Sequence, residues 1–344
     1  MNDVNKGRIS YIDIAKFWGI FLLLVEHTGN WIQLAGHYNY LKIWICSFHM
    51  PLFFIVLGMV VSVKPIKSKD SLVKFIDKRV KGLIVPYIIW GLIYAPGIDL
   101  NFFKGILYGT NPSLGVAATN QVLWFLPAMF IAMLLFQLIV NINSAISVGN
   151  DKMVLVIYGI ETLLLSILSV CTKQFRGNYG LPWGLDIAFM GCVFIICGLL
   201  LKEVVQRILA NKWIVVVCFV ICISIGITIA LHNQPDDMWV TIMALAMYGH
   251  NWILFIIGAV CSTLAIVIVS WWLKNISILT WIGENSLLVM VVHYIIFPYT
   301  VKISANLMMG HDVLIALLNA LLTIMVCIPI IIIVKHYAPI LEGK

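Results

Sequence analysis

Residues Tyr11 to Gln33 read YIDIAKFWGIFLLLVEHTGNWIQ, a run long enough to cross a bilayer that nevertheless carries Asp13, Lys16, Glu26 and His27. Its apolar length predicts a membrane-spanning helix. Its charges each cost ~2.5–3.5 kcal/mol near the centre of a bilayer, so they point to work done inside the membrane. At ~100° per residue, Lys16 and His27 fall within ~20° of each other on the helix surface and ~16 Å apart along its axis. Asp13 lies ~40° to the other side of His27, so one stripe carries an acid, a cation and a base through the helix. Glu26 points ~100° away from His27 and is expected off that stripe.

The rest of the chain agrees with a lipid solvent. Of 344 residues, 62% are hydrophobic and 11% charged, against ~45–50% and ~25% in soluble globular proteins. A mean hydropathy of +1.02 leaves little surface for water. Runs of spanning length occur near 11–33, 41–63, 81–98, 120–140, 153–170, 184–201, 212–231, 251–273, 280–299 and 312–334. These predict an all-α polytopic membrane protein of about ten helices, one membrane-embedded domain over residues 1–344. Three spans carry interruptions: Pro86 and Pro96 in 81–98, Gly283-Glu284-Asn285-Ser286 opening 280–299, and a re-entrant stub expected near Trp239 to Tyr248.

With the N-terminus inside, 16 Lys and Arg residues fall in inside segments and four in outside loops, which predicts that both termini are cytoplasmic. Lys16 and Lys42 lie in or at the edge of spans. No small-residue cleavage site follows the first apolar run, so that span is expected to be retained. The net charge of +7 resides mainly in loops on one side, which argues against a nucleic-acid partner and for anionic membrane lipids. The eight cysteines sit almost entirely in apolar runs and read as small hydrophobes.

A second histidine, His49, lies in Phe48-His49-Met50-Pro51-Leu52-Phe53-Phe54 on the following antiparallel span. His27 and His49 are expected at similar depths and would form one polar site. For His49 a structural hydrogen bond to a helix carbonyl competes with that reading. The remaining histidines are dispersed, so no metal site is expected. Imidazole suits taking a proton from a hydroxyl and handing it on.

The segment Arg8-Ile9-Ser10-Tyr11-Ile12-Asp13-Ile14-Ala15-Lys16, followed ten residues later by His27-Thr28, resembles the Arg/Lys-x10-His signature of the acyltransferase-3 family of integral membrane acyltransferases. Further stretches agree in order: Phe48 to Phe54 with Gly58, Leu83-Ile84-Val85-Pro86-Tyr87, Leu123-Trp124-Phe125-Leu126-Pro127, and Gly283-Glu284-Asn285-Ser286-Leu287 with His293. Leu181-Pro182-Trp183 resembles the branch related to fucose 4-O-acetylases. The resemblance implies transfer of an acetyl or other acyl group from cytoplasmic acyl-CoA, acetyl-CoA above all, to a hydroxyl of a cell-envelope or exported polysaccharide or lipid-linked sugar, in a bacterial cytoplasmic membrane. Carried over, His27 is the catalytic histidine and Lys16 its basic partner, with His49 beside them.

The inside loop Lys64 to Lys81, with seven basic and two acidic residues, is a candidate dock for the phosphates of the donor through Lys78, Arg79 and Lys81. For most of its lysines, plain positive-inside topology competes. Asp13, Glu26, Asp186, Glu284, Asn285, Ser286 and His293 are candidates to complete a polar cavity. Trp124 and Trp183 are candidates to stack on a sugar, although interfacial tryptophans often serve as anchors. For Glu284 and Asn285, a helix-start role competes.

Two departures from the family pattern stand out. Arg79-Val80-Lys81-Gly82 lacks the second arginine of Arg-x-x-Arg, and Glu26 precedes the histidine where a small residue is usual. With the last span ending close to Lys344, no fused extracytoplasmic domain is expected. The competing function is a transporter or flippase for an acidic metabolite or lipid-linked sugar, in which the same charges would relay protons. The oligomeric state is not legible.

Overall fold

A computed structural model of the chain describes residues 8–95, 97–109, 122–146, 151–175 and 180–343. Lys6, Pro96, Arg176 and Lys344, used above for charge and span boundaries, lie outside those residues, as do positions 120 and 121 of the fourth expected span. The described chain is helical, in the order α1 (Ser10–Thr28), α2 (His37–Val60), α3 (Lys69–Arg79), a π-helical turn (Val80–Ile84), α4 (Val85–Tyr94), α5 (Leu100–Tyr108), α6 (Phe125–Ile146), α7 (Asp151–Thr172), α8 (Leu185–Leu209), α9 (Lys212–His232), α10 (Trp252–Trp272), α11 (Ser277–Glu284), α12 (Ser286–Leu307) and α13 (Asp312–Tyr337). No strand occurs among the described residues.

Among the described residues, eight helices are long and apolar enough to cross a membrane: α2, α6, α7, α8, α9, α10, α12 and α13. The protein is therefore an all-α polytopic membrane protein. The other two expected spans differ in kind. The first is the 19-residue α1, which carries Asp13, Lys16 and Glu26. The span expected over 81–98 is instead the π turn joined to α4, ending at Tyr94. The π register has a local cause: Pro86 has no amide to give the Gly82 carbonyl, and the Val85 amide reaches back to the Val80 carbonyl.

The span expected over 280–299 is likewise two helices, parted at Asn285 (φ −107°, ψ 16°), the centre of the polar string. The stub expected near Trp239 to Tyr248 is an irregular plug whose Ile242 and Met247 form an isolated antiparallel bridge. Polar caps punctuate the apolar helices where the sequence offers them. The Asn211 side chain accepts from the Trp213 amide at 3.0 Å, and Asn251 accepts from the Ile253 amide at 2.8 Å.

Burial sorts the helices. In α1, 14 of 19 residues are buried, including Asp13 and Glu26, because α2, α10, α11, α12 and α13 all pack around it. By contrast α9 keeps only 17% of its spanning window buried and α7 22%, which makes them the lipid-facing periphery. The carboxylates of the charged helix, Asp13 and Glu26, are thus kept from lipid.

Glycine decides how closely two pairs of helices approach. At the crossing of α2 and α8, a Cβ on Gly58 would collide with the Ile195 carbonyl, and one on Gly198 with the Ile55 carbonyl. Gly283 of α11 is pressed in the same way against the Asp13 carbonyl of α1. In lipid no hydrophobic drive brings helices together, so such backbone contact is a main source of packing energy. Replacing Gly58 or Gly198 with Ala is expected to lower stability by about 1–3 kcal/mol. Gly159→Ala on peripheral α7, where a Cβ meets nothing within 4 Å, is expected to raise it by up to about 1 kcal/mol through helix propensity. Thermal unfolding of the three variants in detergent tests the contrast.

Candidate active site

The chemistry gathers at two levels along α1. Its C-terminal end is held from both sides. The Tyr38 hydroxyl at the start of α2 accepts from the Gly29 amide at 2.9 Å and donates to the Glu26 carbonyl at 2.6 Å. From α13, the Asn319 side chain donates to Thr28 Oγ1 at 2.9 Å, and that hydroxyl in turn donates to the Leu24 carbonyl. With its backbone fixed by two neighbouring helices, His27 has little freedom to wander.

His27 Nδ1 lies 3.2 Å from Nε2 of His293 on α12, and His293 Nδ1 donates to the Met290 carbonyl at 2.5 Å. On the other edge of the ring, His27 Nε2 is 3.3 Å from Glu26 Oε2. This corrects the expectation that Glu26 stands off the His27 stripe. A ~100° offset separates Cβ directions, but the longer glutamate side chain closes the gap at the helix end.

The second oxygen of Glu26 meets a group that sequence reasoning left at the edge of a span. Lys42 Nζ is 3.0 Å from Glu26 Oε1 and donates to Asn30 Oδ1 at 3.1 Å, with its side chain only 9% exposed. The Trp239 ring lies 5.6 Å from the same ammonium. The available signal was that a buried carboxylate demands a cation, and Lys42 was the one lysine early in the next span.

His49 enters this neighbourhood differently from the expectation. It is buried, and its Nδ1 donates to the Ile45 carbonyl at 2.8 Å, the structural bond that competed with a catalytic role. The histidine hydrogen-bonded to His27 is His293, from a helix more than 260 residues away in sequence.

Lower on α1, Asp13 and Lys16 form an ion pair at 2.8 Å. Arg8 bridges Asp13 and Glu284 at 3.4 Å each, tying the start of α1 to the end of α11. Beside this network is a cavity of ≈ 460 Å³ lined by Lys16, Lys78, Arg79, Ser286 and Met290, with Phe53, Phe125 and Met129 among its apolar walls. Gly82 and Leu83 of the π turn also line it, in keeping with the association of π turns with functional sites. Arg79 Nε is buried there without a hydrogen-bond partner among the described residues, and the guanidinium lies 4.1 Å from the Phe75 ring. Met290 joins the two levels, since it lines the cavity while its carbonyl holds His293.

A model for an acyltransferase domain matches residues 9–335, nearly the whole chain, and it is the acyltransferase-3 family that the motifs resemble. The chain belongs to the acyltransferase-3 family. No curated protein and no solved structure matches it. This acyltransferase is therefore a membrane enzyme by family and by fold, and the resemblance read from Arg8 to His27 is borne out over the full domain.

Several candidate residues lie away from both levels. Lys81 is largely exposed and pairs with Asp77 at 2.8 Å, outside the cavity. Trp183 (φ 58°, a conformation strained for a bulky residue) donates to the Leu107 carbonyl at 2.6 Å and fastens α5. Trp124 is buried edge-on against Phe125. Asp186 is fully buried at the start of α8 and accepts from the Leu181 amide at 3.3 Å, a helix-start role. Asn285, by contrast, sits between Glu284 and Ser286 at the basic level, where its side chain donates to the Trp281 carbonyl at 2.6 Å in the break between α11 and α12.

Removing one partner of a buried ion pair leaves the other uncompensated, at ~3–5 kcal/mol. Lys42→Met is accordingly expected to destabilise this acyltransferase by about 3 kcal/mol. The double variant Lys42→Met with Glu26→Gln should regain most of that loss, and a double-mutant cycle of unfolding free energies measures the difference.

Proposed function

We propose that this acyltransferase carries an acetyl group from acetyl-CoA, approaching from the cytoplasmic side of a bacterial cytoplasmic membrane, to a sugar hydroxyl of a cell-envelope or exported polysaccharide. The observation that carries the reading is the alignment, along one helix, of a basic cavity and a hydrogen-bonded histidine joined through Met290. In this reading the end bearing Arg8, Lys78 and Arg79 faces the cytoplasm, as the loop charges favour.

Lys16, Lys78 and Arg79 suit the phosphates of the donor, and the unpartnered Arg79 Nε is a donor in want of an acceptor. Phe53, Phe125 and Met129 offer apolar walls to the arm that carries the thioester. His27, ~16 Å further along α1, meets the acceptor hydroxyl. Trp31, 40% exposed and with its ring 6.1 Å from Tyr294, offers a face for a sugar beside it.

His27 Nε2 takes the hydroxyl proton as the oxygen's electron pair forms the new bond to the thioester carbonyl carbon. When the tetrahedral intermediate collapses, the carbon–sulfur bond breaks with its electron pair on sulfur. His27 returns the proton to that thiolate, so the products are an ester and free thiol, and the histidine is regenerated.

The test is transfer of labelled acetyl from acetyl-CoA to envelope glycan by the protein in nanodiscs. His27→Ala is expected to lose about 10²–10⁴-fold in kcat, the range of general base catalysis. Lys16→Ala should raise KM for the donor more than it lowers kcat. Intact acetyl-CoA after incubation with wild type, and no label on any glycan, would sink the reading.

A further inference from the structure

The hydrogen bonds around His27 can be read for where each proton sits, and they give Glu26 a role. The starting point is the Met290 carbonyl, which can only accept, so His293 Nδ1 carries a hydrogen. His293 is fully buried and edge-packed by the rings of Tyr294 and Phe297 at 4.8 and 5.0 Å, with no carboxylate beside it among the described residues. An unpaired cation in such a place is costly, so the ring is neutral and its Nε2 bears a lone pair. That lone pair faces His27 Nδ1 at 3.2 Å, which must therefore be the donor. In neutral His27 the remaining nitrogen, Nε2, is then the one left basic.

Nε2 is also the nitrogen beside Glu26 Oε2, at 3.3 Å. Two lone-pair-bearing atoms gain nothing from each other at that distance while the imidazole is neutral. Once a proton arrives on Nε2, the same contact becomes an ion pair in a site with side chains 9–12% exposed, where a charge interaction is strong. Lys42, 3.0 Å from Oε1, keeps the carboxylate balanced and holds it in place. The carboxylate therefore discriminates between the resting and the protonated histidine, which is the discrimination that lowers a barrier.

From this the structure assigns Glu26, backed by Lys42, as the positioning residue that stabilises the imidazolium of His27 formed during proton abstraction, while His293 and the Met290 carbonyl hold the ring with Nδ1 protonated and Nε2 as its basic nitrogen. The assignment rests on the acyl-transfer reading for its catalytic half. The hydrogen-bond string can be tested without turnover. It also accounts for the glutamate that departs from the usual family pattern at this position. The proton balance is closed: the proton lost by the acceptor hydroxyl resides on His27 Nε2 opposite Glu26, then leaves on the thiolate.

Two measurements test it. In protein labelled with ¹⁵N-histidine, the His27 signals are located by their loss in His27→Ala, and Nδ1 is expected to be protonated. A bare Nδ1 on His27 overturns the assignment whatever the enzyme does. In the acetyl-transfer assay, Glu26→Gln is expected to lower kcat about a hundredfold while binding of the unreactive donor analogue desulfo-CoA, and KM for acetyl-CoA, stay within twofold. Glu26→Asp should recover part of the loss, and formate should rescue Glu26→Ala, which a merely structural defect would not allow. Full kcat in Glu26→Gln, beside an active wild type and a dead His27→Ala, overturns the catalytic half. A wild type that transfers nothing while His27 Nδ1 is protonated defeats the functional reading and supports the hydrogen-bond string.

Discussion

Burying charge away from lipid is the constraint on which the rest of this structure depends. A helix carrying Asp13, Lys16, Glu26 and His27 cannot face hydrocarbon, and here it does not, because five other helices enclose it. That enclosure dictates much else. The glycines at Gly283 and at the Gly58–Gly198 crossing bring backbones together, and the least buried helices, α7 and α9, take the lipid-facing positions, with Glu161 of α7 accepting from the Asn143 side chain at 2.9 Å. The charges in turn find partners in the protein: Arg8 with Asp13 and Glu284, Lys16 with Asp13, and Lys42 with Glu26.

The enclosed helix also works as a ruler. Because α1 is continuous, its rise of ~1.5 Å per residue sets the separation between the basic level and the histidine level at ~16 Å. The walls of the basic level come from α2, α3, the π turn, α6 and α12, and those of the histidine level from α2, α12 and α13. The helix break at Asn285 lets α11 close the bottom of the site with Glu284 while α12 carries Ser286, Met290 and His293 up its side. In a sequence of few polar residues, the interruptions of helical regularity at Pro86 and Asn285 are where the functional surface lies.

Much of this was legible beforehand. The charged stripe on the first span, the family motifs from Arg8 to His293 and the all-helical membrane class follow from residue order and composition. Of the residues singled out, Lys16, Lys78, Arg79 and Ser286 line one cavity, and Glu26, His27 and His293 make one contact string. Lys81 was drawn from the basic loop, Trp124 and Trp183 from stretches that resemble family motifs, and Asp186 as an acid in a span; they lie elsewhere, in a surface ion pair, an edge-on ring contact, an anchor to α5 and a helix start. Lys42 was missed because a lysine near a span end is ordinarily taken to reach for the interface.

What the sequence by itself determined is set by period and solvent. A 3.6-residue repeat places Lys16 and His27 on one stripe, and a chain with 62% hydrophobic residues has to live in lipid. Tertiary structure decided which residue meets His27. His49 is 22 positions away and His293 is 266, and helical periodicity says nothing about which helix packs against which. It also decided that Glu26 reaches the imidazole and that Lys42 balances it. Those contacts depend on side-chain length and the approach of neighbouring helices, neither of which a one-dimensional repeat encodes.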